Sequence, residues 1–274
     1  MKTPRYLNVL VGVVLAAWLV FAAGPFVWNI LTSIKSTRDG FAMPPVWTFT
    51  PHFDAYRQLW TEDHFGDYLY NSLFVALFTV VISLAIGALS GYALARYSRV
   101  GGFYLLLAAL LFRALPRMVF VLPYYYFAQW TGLYDTRVLL ILVLVTINQP
   151  FTIWMFRGFF MDIPTSIDEA AMVDGCNRFQ AFRHAILPLA LPGAITAAIF
   201  TLLLAYNEFM IPVILTASNA TTLPVAISQF GSEDLRNWTL SAAGSVSIAL
   251  PIIAIVMFLQ RYFVRGLTSG AVKG

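Results

Sequence analysis

The chain has 274 residues, of which 59% are hydrophobic and only 11% charged, against about 25% charged in an ordinary soluble domain. With a mean hydropathy of +0.75, a net charge of +4 and one cysteine, Cys176, it is no disordered chain, basic nucleic-acid binder or disulfide scaffold. Apolar runs of about 20 residues, the length that crosses a bilayer, instead predict an all-α, polytopic membrane protein with six transmembrane helices in one domain.

The first span is expected at 7–31. Lys2 and Arg5 precede it, but the run is longer than the apolar segment of a signal peptide, so it reads as an uncleaved helix. The loop 32–67 carries seven aromatics: Phe41, Trp47, Phe49, Phe53, Tyr56, Trp60 and Phe65. Thr50-Pro51 predicts a helix start there, with Phe53, Tyr56 and Trp60 on one face. That face suits either the bilayer interface or a contact with a solute-binding protein.

The second and third spans are expected at 68–95 and 103–127. Arg113 and Arg117, four residues apart, fall on one face of the third, and Pro116 between them should loosen the helix. The fourth span, 138–160, holds Asn148 and Gln149 before Pro150. After the loop 161–188, the fifth span, 189–215, holds Asn207 and Glu208. Charges inside a span are costly and point to function. These six polar groups either line a solute path, where Arg, Asn and Gln can bond sugar hydroxyls, or include a buried ion pair of Glu208 with Arg113 or Arg117. Two Arg against one Glu would favour an anionic solute if the surplus faces the path. The loop 216–240 begins with small polar residues around Ser218, Asn219 and Ala220, and the sixth span follows at 244–264.

Basic residues orient the spans. Lys2, Arg5, Arg96, Arg99, Arg157, Arg178, Arg183, Arg261, Arg265 and Lys273 fall on one side, against Lys35, Arg38, Arg57, Arg137 and Arg236 on the other. The bias places both termini and the 161–188 loop in the cytoplasm. In that loop Ser166 and Glu169 form a capping-box pattern. Ile167, Ala170 and Ala171 share a face, and Gly175 is a helix terminator. Asn177 with Gln180 can start a second short helix, which Pro188 separates from the fifth span. The product is two short helices with a bend, fitted either to meet another surface or to lie as an interfacial connector.

Glu169-Ala170-Ala171, then Gly175, then Leu187-Pro188 resembles the EAA loop of ATP-binding-cassette importer permeases. The one departure is Ala185, where the family pattern has a bulkier aliphatic. Asn207-Glu208-Phe209, Thr222-Leu223-Pro224-Val225 and the ending from Gln260 to Gly274 resemble the shorter permease of carbohydrate importers of the maltose-permease type. The resemblance covers nearly the whole chain. It implies a coupling surface for an ATPase at Glu169, Ala170, Ala171, Asp174, Gly175, Leu187 and Pro188. It also implies a binding-protein contact at Ser218, Asn219 and Ala220, for which a flexible connector is the alternative.

The partners implied are a second permease in a heterodimer, two copies of an ATP-binding subunit, an extracytoplasmic solute-binding protein and membrane lipid, with no nucleic acid. The implied location is the bacterial plasma membrane, and the cargo a sugar, polyol or glycoside. No G-x-x-x-x-G-K-[ST] loop occurs in the sequence, so no cofactor is expected in this chain; ATP and Mg belong to the ATPase subunit. His52, His64 and His184 have no metal-site spacing, and no catalytic constellation is present. An ion-gradient carrier driven through Glu208 is a rival class, opposed by the EAA loop and the lack of other intramembrane acids. A membrane-embedded enzyme is another, opposed by the absent acid/base cluster.

Overall fold

The computed structural model describes the backbone of residues 5–97, 100–233 and 238–268, and side chains within 6–97, 101–230 and 238–258. Lys2, Arg99, Arg236 and Lys273, and the side chains of Arg5, Arg261 and Arg265, lie outside the described residues, as do the side chains of the stretch from Gln260 to Gly274 that carries the family ending. Among the described residues all regular structure is helical. The chain divides into two compact units, Met1–Gly66 with Ala226–Leu250, and Asp67–Val225 with Pro251–Gly274.

In the first unit, α1 (Arg5–Ser33) is apolar on every face and almost wholly exposed, as a helix meeting lipid or another protein must be. The short α2 (Thr37–Gly40) is capped by Ser36. The aromatic-faced helix α3 (Asp54–Thr61) begins later than Thr50-Pro51 suggested. The His52 amide is instead bonded to the Ile34 carbonyl (2.8 Å), outside any helix, and residues 51–53 are irregular. Trp60 packs on Phe65 with centroids 5.0 Å apart, and Tyr56 pairs with Ser33 (2.9 Å).

Most of α4 (Phe65–Arg96) belongs to the second unit. It is followed by α5 (Val100–Ala114), α6 (Met118–Thr131) and α7 (Arg137–Met161). The loop region contributes α8 (Ser166–Val173), α9 (Arg178–Ala181), a π-helical turn at Phe182–Ile186, and α10 (Leu187–Leu189). Then come α11 (Leu191–Tyr206), α12 (Met210–Leu215), α13 (Leu223–Glu233) and α14 (Trp238–Thr268).

Among the described residues four helices, α1, α4, α7 and α14, are long and apolar enough to cross a membrane, or six segments if each of two bent pairs makes one span. The first, second, fourth and sixth predicted spans therefore appear as continuous helices. The third does not: α5 and α6 meet at 92°, because Pro116 lacks an amide to continue the ladder and excludes the turn before it. Arg113 and Arg117 are thus not on one helical face. The fifth also differs. A 77° bend sets α11 off from the helical run before it, and α11 ends at Tyr206, with Asn207 at its C-cap. Pro212 in the first turn of α12 has no amide to extend the helix backwards.

Towards their C-terminal ends, α4 and α7 cross so closely that a Cβ on Gly91 would stand 2.6 Å from Phe156 Cβ and 2.9 Å from the Arg157 amide. Ala88, Tyr92, Phe156, Phe160, Phe182, Ile186 and Ala190 form one buried cluster around that crossing. The signal was present as Gly87-x-x-x-Gly91, the small-residue spacing that lets membrane helices approach.

Candidate functional site

Two helix breaks meet at one ion pair. Arg117 stands at the start of α6, immediately after the 92° bend, and its guanidinium pairs with the Glu208 carboxylate. Glu208 sits in the gap between α11 and α12. Its Oε1 accepts the free amides of Met210 (3.1 Å) and Ile211 (3.4 Å) at the start of α12, so the carboxylate satisfies orphan helix-end donors as well as a cation. The Glu208 side chain is 3% exposed and that of Arg117 39%. Of the two partners the sequence allowed for Glu208, the structure selects Arg117.

Arg113, in the last turn of α5, makes a different contact. Its guanidinium lies 4.6 Å from the centroid of the Phe151 ring, a cation–π arrangement. Arg113 and Arg117 line one cavity of about 170 Å³ with Phe112, Tyr124, Thr146 and Pro150. The bend that separates the two arginines along the helix thus still aims both at one space. The cavity offers guanidinium donors, a phenol and a threonine hydroxyl beside aromatic and apolar walls, a surface suited to a polyhydroxylated solute.

The other predicted path residues do not line that cavity. Asn148 is buried within α7. Gln149 donates from Nε2 to the Ser83 carbonyl of α4 (3.3 Å) and so ties two helices. Asn207 is exposed and bonds back to the Leu203 carbonyl of its own helix (2.9 Å).

The 161–188 loop folds as two short helices with a bend. α8 spans Ser166–Val173, with Thr165 at its N-cap and no side-chain capping bond, so the Ser166–Glu169 box is not made. Ser166 already lies within the helix and cannot cap it. The helix start expected at Asn177 is made, and as a capping box: the Asn177 amide donates to Gln180 Oε1 (2.8 Å), and the Gln180 amide to Asn177 Oδ1 (2.9 Å). Gly175 adopts φ +88°, left-handed backbone that disfavours any side chain. The chain stays helical past Pro188, and the break falls at Ala190.

Glu169, Ala170, Asp174, Gly175 and Pro188 are exposed, Ala171 and Leu187 half-buried. Ile167 packs against the buried cluster, so the expected face of Ile167, Ala170 and Ala171 is split between core and solvent. The solvent side carries Val173, 87% exposed, and Phe179, 61% exposed.

Sequence reasoning missed what holds α8 in place. Asp168, beside Glu169, is buried. Tyr92 donates its hydroxyl to Asp168 Oδ1, and Arg96 Nε bonds Asp168 Oδ2 at 2.9 Å. Arg96 had read only as a topology marker. At the other end of the same unit, residues 217–220 wrap Asp135. Its carboxylate accepts the amides of Ala217 (2.9 Å), Ser218 (3.1 Å), Asn219 (2.9 Å) and Ala220 (3.1 Å). Burial alone would raise the Asp135 pKa; the amides of Asn219, Ala217, Ala220 and Ser218 together outweigh it and hold the carboxyl below its ordinary value.

Asn71 Nδ2 adds bonds to the carbonyls of Asn219 (3.1 Å) and Thr221 (2.9 Å), and Arg137 Nε fixes the Asn71 side-chain oxygen (2.6 Å). The segment is therefore a braced loop with Ser218 and Asn219 at its exposed tip, not a loose connector.

Residues 83–269 match the model of the family described as binding-protein-dependent transport system inner membrane component. The trehalose transport system permease protein SugB of Mycobacterium tuberculosis is 41% identical over 260 residues, 93% of each chain. The diacetylchitobiose uptake system permease protein DasC of Streptomyces coelicolor is 37% identical, over 96% of this chain and 95% of that protein. In fold, the chain is similar to a chain in the crystal structure of a bacterial ABC transporter involved in the import of the acidic polysaccharide alginate. The TM-score is 0.76 at 23% identity, over 96% of this chain and 98% of that one. With several membrane-length apolar helices, a matched family segment and relatives aligned over more than nine-tenths of each chain, the chain belongs to the inner-membrane components of binding-protein-dependent transport systems, as an ABC transporter permease subunit.

Proposed function

We propose that this chain is one of two permease subunits of an ATP-driven importer that carries a sugar, polyol or glycoside across the bacterial plasma membrane. The observation that carries the substrate class is the near full-length similarity, at 41% and 37% identity, to permeases named for the disaccharides trehalose and diacetylchitobiose. The termini and the EAA loop face the cytoplasm, as the basic residues indicate. There α8 docks on an ATPase subunit through Glu169, Ala170, Ala171, Asp174 and Gly175, with Leu187 and Pro188 supporting the turn behind it. Two copies of that subunit hold ATP and Mg, and this chain supplies no residue to the nucleotide.

A binding protein outside delivers solute over the braced loop at Ser218 and Asn219; Ala220, expected from the sequence to share that contact, is buried beneath them at 1% exposure. Solute then crosses beside Arg113, Arg117 and Tyr124, where hydroxyls find donors and sugar faces find aromatic walls. Asn148, Gln149 and Asn207, the other path residues expected from the sequence, lie outside that cavity, and Gln149 ties α7 to α4. ATP binding draws the ATPase subunits together and displaces α8, which switches the path between the two sides.

A second reading of the cargo follows from the charges. Glu208 neutralises Arg117, whereas Arg113 meets the face of Phe151 at the same cavity. Among the described residues no carboxylate pairs with Arg113, and that charge favours an anionic, sulfonated or phosphorylated sugar. Liposomes containing both permeases and the ATPase, supplied with binding protein, test both readings. The proposal expects uptake of a neutral disaccharide that needs both ATP and binding protein. Uptake driven by an ion gradient without either would refute it. Preference for the charged sugar, lost in Arg113→Gln, would establish the second reading.

A further inference from the structure

The inner ends of three helical elements are joined at a single guanidinium. Arg96, the last residue of α4, places Nε on Asp168 Oδ2 of α8 at 2.9 Å. Its Nη1 reaches the Phe160 carbonyl in the last turn of α7 at 2.9 Å, and its Nη2 the Ile163 carbonyl just beyond at 2.8 Å. The end carbonyls of a helix have no partner within it, so the arginine completes α7 while holding α8. Tyr92, one turn back along α4, takes the other Asp168 oxygen. The Arg96 and Asp168 side chains are 6% and 10% exposed. The planar fork of Arg suits this division among three acceptors; an ammonium does not reproduce it.

The surroundings make this joint stiff. Directly behind it Gly91 meets the Phe156–Arg157 backbone. The rings of Tyr92 and Phe160 lie 5.7 Å apart, and those of Tyr92 and Phe182 4.9 Å. On its far side α8 is open, with Glu169 and Ala170 exposed and Val173 at 87%. One face of α8 is thus bolted to α4 and α7 and the other is free to be pushed. The covalent route from α8 to α11 instead passes through a π-helical turn and a 77° bend.

We propose that Arg96 and Asp168 are the positioning residues that transmit displacement of α8 to α4 and α7, so that the stroke reaches the solute path through this ion pair as well as along the chain. The proposal rests on the reading that α8 meets an ATPase subunit. Opening the joint lets α8 move without carrying α4 and α7, so ATP is spent without matching transport.

The test uses the assembled importer in liposomes, with ATP hydrolysis and sugar uptake measured on the same vesicles. In Asp168→Asn and Arg96→Gln, uptake per ATP is expected to fall about tenfold, the scale of an ordinary coupling free energy. Arg96→Lys keeps the charge, and hence the buried pair, but loses the fork; its ratio should fall between wild type and Arg96→Gln. Asp168→Glu should recover much of the ratio.

A pair that only stabilises the fold would lower the number of assembled complexes and leave uptake per ATP at the wild-type value, in Arg96→Lys above all; that result overturns the proposal. Gly175→Asp serves as the control for the underlying reading. If it uncouples while the Arg96 and Asp168 variants do not, the joint is refuted and the docking surface stands. If all keep the wild-type ratio, both are refuted.

Discussion

Replacing Glu208 with Gln tests whether the pair at the two helix breaks holds them together. The substitution keeps the shape and one acceptor oxygen but removes the charge. Breaking a fully buried pair from one side costs about 3–5 kcal/mol. Glu208 is 3% exposed but Arg117 39%, so water screens the stranded guanidinium and that part is reduced to about 1–3 kcal/mol. The bonds from the Met210 and Ile211 amides lose their charge assistance, which adds about 1 kcal/mol. Glu208→Gln should therefore destabilise the unit by about 2–4 kcal/mol, read as earlier thermal unfolding of the purified importer. Arg117→Gln in the same chain removes the stranded charge and should return part of the loss, giving a coupling energy of about 1 kcal/mol or more in a double-mutant cycle. A coupling energy below about 0.5 kcal/mol would show that the pair does not join the breaks.

Gly91→Ala places a methyl against Phe156 and the Arg157 amide and should cost about 1–3 kcal/mol by overpacking. Gly158→Ala in α7 meets nothing within 4 Å and should be neutral or gain up to about 1 kcal/mol; thermal melting of both variants checks the contrast. Asp135→Asn should release the 217–220 loop, raising its hydrogen exchange and lowering binding-protein-dependent uptake. Because the Asp135 carboxyl titrates below its ordinary value in the folded chain, its contribution is complete above the unfolded value of about 3.9 and is lost as pH falls through the lower folded one. Loop exchange, corrected for its intrinsic pH dependence, should thus show constant protection from about pH 8 to 5 and weaken only in stronger acid.

The apolar runs carried the helical class and four continuous spans, because a bilayer imposes length and hydropathy on any crossing helix. Pro116 announced a weakened third span, though not a 92° bend; the angle depends on what packs around the break. Asn177 and Gln180 announced the start of α9, since both partners lie within one turn. The joints that matter most were hidden by separation. Arg96 and Asp168 are 72 residues apart, and Asp135 and Ser218 are 83 apart. A lone polar residue states that it needs a partner without saying which. Asn148 and Asn207 show a second limit: Asn148 is buried and Asn207 exposed, a difference set by helix rotation and tertiary packing, which position along the chain does not state.

Val173 offers the most direct measurement of the docking surface that the account places on α8. It is 87% exposed in the isolated chain and stands one residue before the Asp174–Gly175 turn. In a Cys176→Ser background, Val173→Cys should react readily with a water-soluble maleimide in inside-out membranes that hold only the two permeases. With the ATPase subunit present, the labelling rate should fall by about tenfold or more, as at a desolvated interface core. Equal labelling in both membranes would contradict the coupling role of this helix.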